Sequence, residues 1–350
     1  MIRSASLRDA LRDRSGPRAV NRNTARPGPD RSRRRAGCVH DATDSVILDC
    51  DPGHDDALAI LLAYASPAID LRAITTVAGN QTLPLVTENA LRIATLAGIT
   101  DVPIAAGSQR PLGRDLVVAG DVHGRSGLDG ADLPEASVAL SSESATELMA
   151  GTIADADRPV TLVPTGPLTN VARLLREHPE SADGIEQIVW MGGSTGRGNV
   201  TPYAEFNAFV DPDAAAEVVA SGLPVTMIGL NVTHQALATD EILARIRANG
   251  SAVTTAIADL LSFFASTYER IWGLPAPPVH DAVAVARVVD PALVECVWAP
   301  IEVETTGQFT SGATVVDLYD RTGRAPNACA GVAVDVERFW DLMLDALAAY

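Results

Sequence analysis

The chain has 350 residues, of which 47% are hydrophobic and 20% charged, and a formal net charge of −17. These proportions allow a large core and exclude disorder throughout, and no apolar run reaches the roughly 18 residues of a membrane-spanning helix. All 27 basic residues are arginine, which excludes a P-loop lysine on phosphate and Schiff-base chemistry.

The first forty residues differ from the rest. They hold eleven arginines and three aspartates, a balance of +8, which leaves −25 on the remainder of a chain whose total is −17. They are rich in Arg, Ser, Pro and Gly and lack the apolar core of a secretory signal. The RSRRR run could contact nucleic acid, but the composition predicts a disordered tail over residues 1–43. The acidic remainder, 44–350, should repel nucleic acid and anionic membranes and suits a neutral ligand or a bound cation.

From Asp44 onward, strand-like and helix-like runs alternate. SVILDCD (45–51) reads as a buried strand and DDALAILLAYA as the helix after it. LRAITTVAG (71–79) and VPIAAG (102–107) read as strands, with LVTENALRIATLAG helical between them. PVTLVPTG (159–166) is a strand with the helix PLTNVARLLREH behind it, and IEQIVWMGG (185–193) is the next strand. DPDAAAEVVAS (211–221) is a helix and LPVTMIGL (223–230) a strand. Residues 239–289 turn mostly helical, IEVETTG and TVVDLYD are later strands, and VERFWDLMLDALAAY closes the chain as a helix. Such alternation predicts an α/β fold with right-handed crossovers and a mainly parallel sheet, in one domain without an internal linker. Ligands of such sheets bind beyond the carboxyl ends of the strands. Those ends carry Asp49 and Asp51, Gly79-Asn80, Thr165-Gly166, Met191-Gly192-Gly193 and Gly229-Leu230-Asn231.

VILDCDPGHDDA places four carboxylates, Asp49, Asp51, Asp55 and Asp56, within eight residues. Asp49 and Asp51 share a strand face, Pro52 ends the strand, and Asp55 and Asp56 fall in a first helical turn. There the macrodipole favours each anion by about 0.3–1 kcal/mol, too little to offset repulsion among several carboxylates in a cleft. Such a group shares protons or holds a cation. Helix capping by Asp55 alone would explain one acid but not four. Oxygen donors suit Ca²⁺ or Mg²⁺; zinc would want clustered His or Cys. The cysteines, Cys38, Cys50, Cys296 and Cys329, show no C-x-x-C spacing and fit a reducing cytosol.

GNVTPYAEFN carries Asn199, Glu205 and Asn207, and Asn80 tips another strand. Each alone reads as a turn residue, whereas converging amides and carboxylates suit polyol hydroxyls. If extended, Glu205 and Asn207 would face the same way. In PPVHDAVAVA, His280 and Asp281 open a helix, a pair that more often only caps; here the acid suits a metal and the histidine a proton transfer. His123 lies in a glycine-rich loop of a kind that often lines sites. His40, His54 and His178 read as surface residues, and the pattern assigns His234 no role.

In this order, DCDPGHDDA, TTVAGNQT, GDVHGRSG, LVPTGPLTN, WMGG, AEFN, DPDAA and VHDAVAVA resemble the nucleoside hydrolases, in particular their inosine–uridine-preferring or pyrimidine-type branch. The resemblance runs from about Ser45 to the C-terminus. It implies a single, Rossmann-like α/β domain with helices flanking a mostly parallel sheet, in a homodimer or homotetramer, and the scattered cysteines add the expectation of a cytoplasmic protein. It implies Ca²⁺-dependent hydrolysis of the N-glycosidic bond of ribonucleosides to ribose and free base. By motif, Asp51, Asp56 and Asp281 would bind calcium through carboxylates and Thr165 through its backbone carbonyl. Asp55, Asn80, Asn199, Glu205 and Asn207 would hold the ribose. His123 and His280 would sit near the base, with His280 as proton donor and Asp51 as general base. Asp49 would support the site from behind. Asn231 stands where many relatives carry Asp, which would alter charge near the metal, and Trp272 would stack on a base or fill core. His280 argues against the purine-specific branch.

Two other classes share features of the chain. DCD imitates the opening of aspartate-nucleophile phosphohydrolases, but no lysine or arginine cluster accompanies it. A non-catalytic nucleoside-binding protein would keep the pocket and lack turnover.

Overall fold

A computed structural model describes residues 43–350. Residues 1–42, on which the expected tail, Cys38 and His40 fall, lie outside the described residues.

The strands are β1 (Asp44–Cys50), β2 (Ile69–Thr76), β3 (Ile104–Ala106), β4 (Val160–Pro164), β5 (Ile185–Met191), β6 (Val225–Ile228), β7 (Val294–Ala299), β8 (Ile301–Val303), β9 (Thr314–Val316) and β10 (Ala328–Val334). The helices are α1 (His54–Ala65), α2 (Leu83–Ala97), α3 (Gly120–His123), α4 (Ala145–Ala154), α5 (Thr169–Glu177), α6 (Phe206–Val210), α7 (Pro212–Val219), α8 (Leu230–Thr233), α9 (Asp240–Asn249), α10 (Ala252–Trp272), α11 (Asp281–Val289) and α12 (Val336–Leu347).

Eight strands form one sheet in the order β3-β2-β1-β4-β5-β6-β10-β7. All neighbours are parallel except β7, which runs antiparallel to β10 at the edge. The run β3-β2-β1-β4-β5-β6 is the doubly wound order of dinucleotide-binding folds, whose direction of winding reverses between β1 and β4. β1 is central because its apolar run is buried on both faces, the pattern of a parallel strand covered by helices. α1 is buried from His54 to Ala63 and packs against α10, α11 and α12. A helix apolar all round needs that enclosure. α4, α5 and α7 supply a second core on the opposite face. Among the described residues, no helix is long and apolar enough to cross a membrane.

The expected strand–helix alternation therefore holds, and further elements go beyond it, among them β7, β10 and α4. Neither β7 nor β10 was anticipated; in β10, ACAGVAV is made mostly of small residues with little β-branched signal. α4 is announced by Ser144 and Glu147, whose reciprocal hydrogen bonds close a capping box. The segments expected as late strands, IEVETTG and TVVDLYD, contribute only β8 and β9, an antiparallel pair outside the main sheet.

Candidate active site

The reversal between β1 and β4 opens the cleft in which the acids gather. Asp51 is the first residue past β1 and is fully buried. Its Oδ2 accepts the backbone N–H of Asn80 at 2.6 Å, and its Oδ1 has no partner. The carboxylate fits only because Gly79 and Gly166 end the adjoining segments: a Cβ at Gly79 would overlap Oδ2, and one at Gly166 would stand 2.8 Å from Oδ1. Asp56, in the first turn of α1, accepts the Gly53 N–H at 2.9 Å and the Thr165 hydroxyl at 2.8 Å. Asp55 accepts the backbone N–H of His280 at 3.1 Å, which ties α1 to the start of α11, where Asp281 sits. One carboxylate oxygen from each of Asp55, Asp56 and Asp281 lies within 4.8 Å of the others.

Burial pushes Asp55 up to about 7 and raises Asp56. Asp51 and Asp281 are driven well above the usual carboxylate range, by burial first and then by neighbouring carboxylates. Among the described residues no arginine lines the cavity, and none there sets a fixed positive charge against these acids. Oxygen donors, mutual repulsion and the orphaned Asp51 Oδ1 together fit a hard divalent cation. The buried aspartate cluster can hold a metal ion.

Asp49 does not join it. Its Oδ1 accepts from Thr75 Oγ1 at 2.7 Å and Asn170 Nδ2 at 2.8 Å, behind Asp51. The fourth acid of the cluster is Asp281, brought from a distant helix.

The amide wall is only partly as the pattern suggested. Asn80 Nδ2 donates to the Asp51 carbonyl and to Asp56 at 3.1 and 3.3 Å. Asn199 leaves its buried Oδ1 without a partner on the cavity wall. Glu205 and Asn207 are not extended. Glu205 caps α6, accepting the N–H groups of Gly193, Asn207 and Ala208. Asn207 lies in the first turn and donates to the carbonyls of Thr165 and Met191 at 2.7 and 3.0 Å. Its Oδ1 remains available to a ligand. Burial pushes Glu205 up to about 7.

The third side of the cavity is aromatic. Phe264, Tyr268 and Trp272 recur every fourth residue of α10 and line it with His123 and His280. His280 Nε2 lies 2.9 Å from Tyr268 Oη and its Nδ1 2.7 Å from Thr233 Oγ1. Burial holds His280 well below its ordinary pKa. Trp272 leans on Tyr268, with ring centroids 4.5 Å apart, so it belongs to the cavity wall rather than the core. Sequence reasoning missed Tyr268 and Thr233; the i, i+4, i+8 spacing of large rings on α10 was the available signal for Tyr268.

Two expectations are corrected. His54 is not on the surface: it is fully buried, its ring stacked near His123, Phe263 and Phe264. As the first residue of α1 it points into the same wall. Asn231 does not meet the acids: its amide accepts from the Thr195 N–H at 3.1 Å and donates to the Gly331 carbonyl at 2.9 Å, tying the loop after β5 to β10. His178 is half-buried, 3.5 Å from Glu180.

The cavity enclosed by these walls holds about 360 Å³, within the range of small-ligand sites. A doubly wound sheet with carboxylates at its switch point, amides beside them and aromatic rings opposite makes a site suited to a polyhydroxy ligand that bears a planar ring. The family model for inosine-uridine preferring nucleoside hydrolases matches residues 46–341, and the chain belongs to that family, enzymes that act on N-glycosyl bonds. It is 51% identical over 310 residues to the pyrimidine-specific ribonucleoside hydrolase RihA of Shewanella woodyi, covering 88% of this chain and 99% of that one. The RihA of Citrobacter koseri is 50% identical, with coverage of 87% and 98%. Among solved structures, the purine-preferring ribonucleoside hydrolase of Gardnerella vaginalis superimposes with a TM-score of 0.82 at 34% identity, covering 87% and 98% of the two chains.

Proposed function

We propose that residues 44–350 form the catalytic domain of a Ca²⁺-dependent ribonucleoside hydrolase that prefers pyrimidine nucleosides, uridine and cytidine first. The observation that carries the reading is the buried, unpartnered Oδ1 of Asp51 among three further buried acids, two of which, Asp55 and Asp281, line a cavity whose far wall ends in His280 and Tyr268. The base preference rests on the two relatives at 50% identity or more, both named pyrimidine-specific.

Calcium would be held by the carboxylates of Asp51, Asp56 and Asp281 and the carbonyl of Thr165. When bound, such an ion neutralises the cluster and acidifies water near it. Asp51 has one oxygen held by Asn80 and one free, so the free oxygen takes the proton of the water that attacks C1′. Asp55, Asn80, Asn199, Glu205 and Asn207 hold the ribose hydroxyls, with contacts that tighten as the ring flattens toward an oxocarbenium-like state. His123 and Trp272 face the base. His280, wired between Thr233 and Tyr268, delivers the proton that makes the base a better leaving group. We further propose a cytoplasmic homodimer or homotetramer. The three described cysteines, all free, and exposed apolar side chains such as Trp298 and Phe309 support that reading.

The test is reducing-sugar release from uridine, cytidine and inosine by protein stripped with a strong chelator and then reloaded with calcium. Ribose should appear from the pyrimidine nucleosides only after reloading. Indifference to the chelator removes calcium from the reading, binding without ribose release makes the chain a sensor, and phosphate release from a phosphomonoester makes it a phosphohydrolase.

A further inference from the structure

His54 is buried beside the site, and none of the roles above uses it. Its Nε2 lies 2.8 Å from the backbone carbonyl oxygen of Asp129. A carbonyl only accepts, so that nitrogen carries the proton. The carbonyl is well fixed: the Asp129 side chain accepts the N–H groups of Arg125 and Ser126 at 2.9 and 3.0 Å, closing the glycine-rich loop on itself. Packed against Phe263, Phe264 and His123, with no carboxylate hydrogen-bonded to it, the ring is neutral and its Nδ1 is bare.

That bare Nδ1 lies 3.1 Å from Nδ1 of His123. Two lone pairs do not face each other at that distance, so His123 carries its proton on Nδ1. The backbone N–H of His54, 3.4 Å from the same atom, would favour the opposite arrangement. Adopting it would turn a bare His54 Nε2 onto the Asp129 carbonyl at 2.8 Å, and the shorter contact decides. His123 Nε2 is then left as a lone-pair acceptor with no partner among the described residues, on a ring that lines the cavity.

We propose that His54 is a positioning residue that fixes the tautomer of His123, so that the cavity presents an acceptor nitrogen and selects a nucleoside that offers a hydrogen-bond donor there. The donor is a hydroxyl of the sugar or a ring N–H of the base. This inference rests on the nucleoside-hydrolase reading for its ligand, but not for its tautomer.

The experiment is a long-range proton–nitrogen correlation spectrum of the imidazoles in the full chain with calcium, assigned with H123N, alongside kinetics. Wild-type His123 should show a protonated Nδ1 and a bare Nε2. His54→Phe keeps the stacked ring but removes the acceptor. It should release His123 to the other tautomer and raise KM for uridine about tenfold, the scale of one hydrogen bond, with kcat much less affected. His54→Asn, whose amide oxygen reaches the place of Nδ1, should restore the tautomer and most of the affinity. The KM penalty of His54→Phe should vanish for whichever of 2′-, 3′- and 5′-deoxyuridine lacks the donor if that donor is a sugar hydroxyl, and for 3-methyluridine if it is the base N–H. A wild-type His123 protonated on Nε2 overturns the proposal, as does a penalty undiminished with all four analogues. A wild-type protein that releases no ribose would sink the functional reading while the spectrum still decides the tautomer.

Discussion

The floor of the cavity and its aromatic wall are built by different means. Asp51, Asp55 and Asp56 come from one short stretch and are held by backbone N–H groups and by Thr165. The wall is assembled from α3, α8, α10 and the residue before α11, elements far apart in the chain. The floor hangs on α1, which is enclosed, whereas the wall includes Trp272, 37% exposed at the end of α10. On the proposed reading, activation of the attacking water belongs to the floor, and the choice and protonation of the base belong to the wall.

The largest effect that would test this division is Asp51→Asn. It keeps the shape of the floor and should lower kcat by about 10²–10⁴-fold, the worth of a positioned base. Circular dichroism should show the fold intact, and near-normal turnover would remove Asp51 from its role. Changes in the wall should cost less. His280→Ala should reduce kcat by on the order of 10²-fold, and Tyr268→Phe, which leaves the histidine but cuts its hydrogen bond, should reduce it less than that. Equal losses in steady-state kinetics would mean that the tyrosine, not the histidine, supplies the proton. The smallest effect is on stability and concerns the floor without its ion. Burial raises Asp49, Asp55 and Glu205 to about 7, so the folded chain binds more protons than the unfolded one at mildly acidic pH. The stability these three groups contribute to metal-free protein should therefore be fully present below the ordinary carboxylate range and be lost as pH rises through about 7. On the proposed reading calcium competes with protons on Asp51, Asp56 and Asp281, which burial also raises, so the rise in Tm that it gives should grow as pH rises. Thermal denaturation with and without calcium at pH 5 and pH 8 checks both signs; a metal-free Tm higher at pH 8 would contradict the raised carboxylates.

The floor was legible in the sequence because its chemistry is local. DCDPGHDDA puts the acids, the strand end and the helix start in one stretch, and the doubly wound sheet follows from the alternation of apolar runs. Asp281 was legible only as half of an HD pair, and its union with Asp55 and Asp56 is a tertiary fact. The wall was harder. Tyr268 sits in a helix whose large residues satisfy a core pattern equally well, and nothing local distinguishes a ring that faces a cavity from one that faces a neighbour. His54 was misread because a histidine between Gly53 and Asp55 looks solvated, while its burial comes from Phe263, Phe264 and the Asp129 loop. Glu205 and Asn207 were identified as a pair, but their facing was legible only on condition of an extended backbone, since AEFN carries no signal separating an extended run from the short helix it begins.

The enclosure of α1 bears on how such a pocket could be redesigned. A helix gripped on every side transmits any change in its own residues straight into the core, so substitutions there put folding and turnover at risk together. The rim near Val118 and Trp272 is open to solvent and carries no such burden. Libraries randomised at those two positions should therefore yield catalysts with shifted nucleobase tastes and undiminished expression, leaving the ancestral machinery untouched underneath.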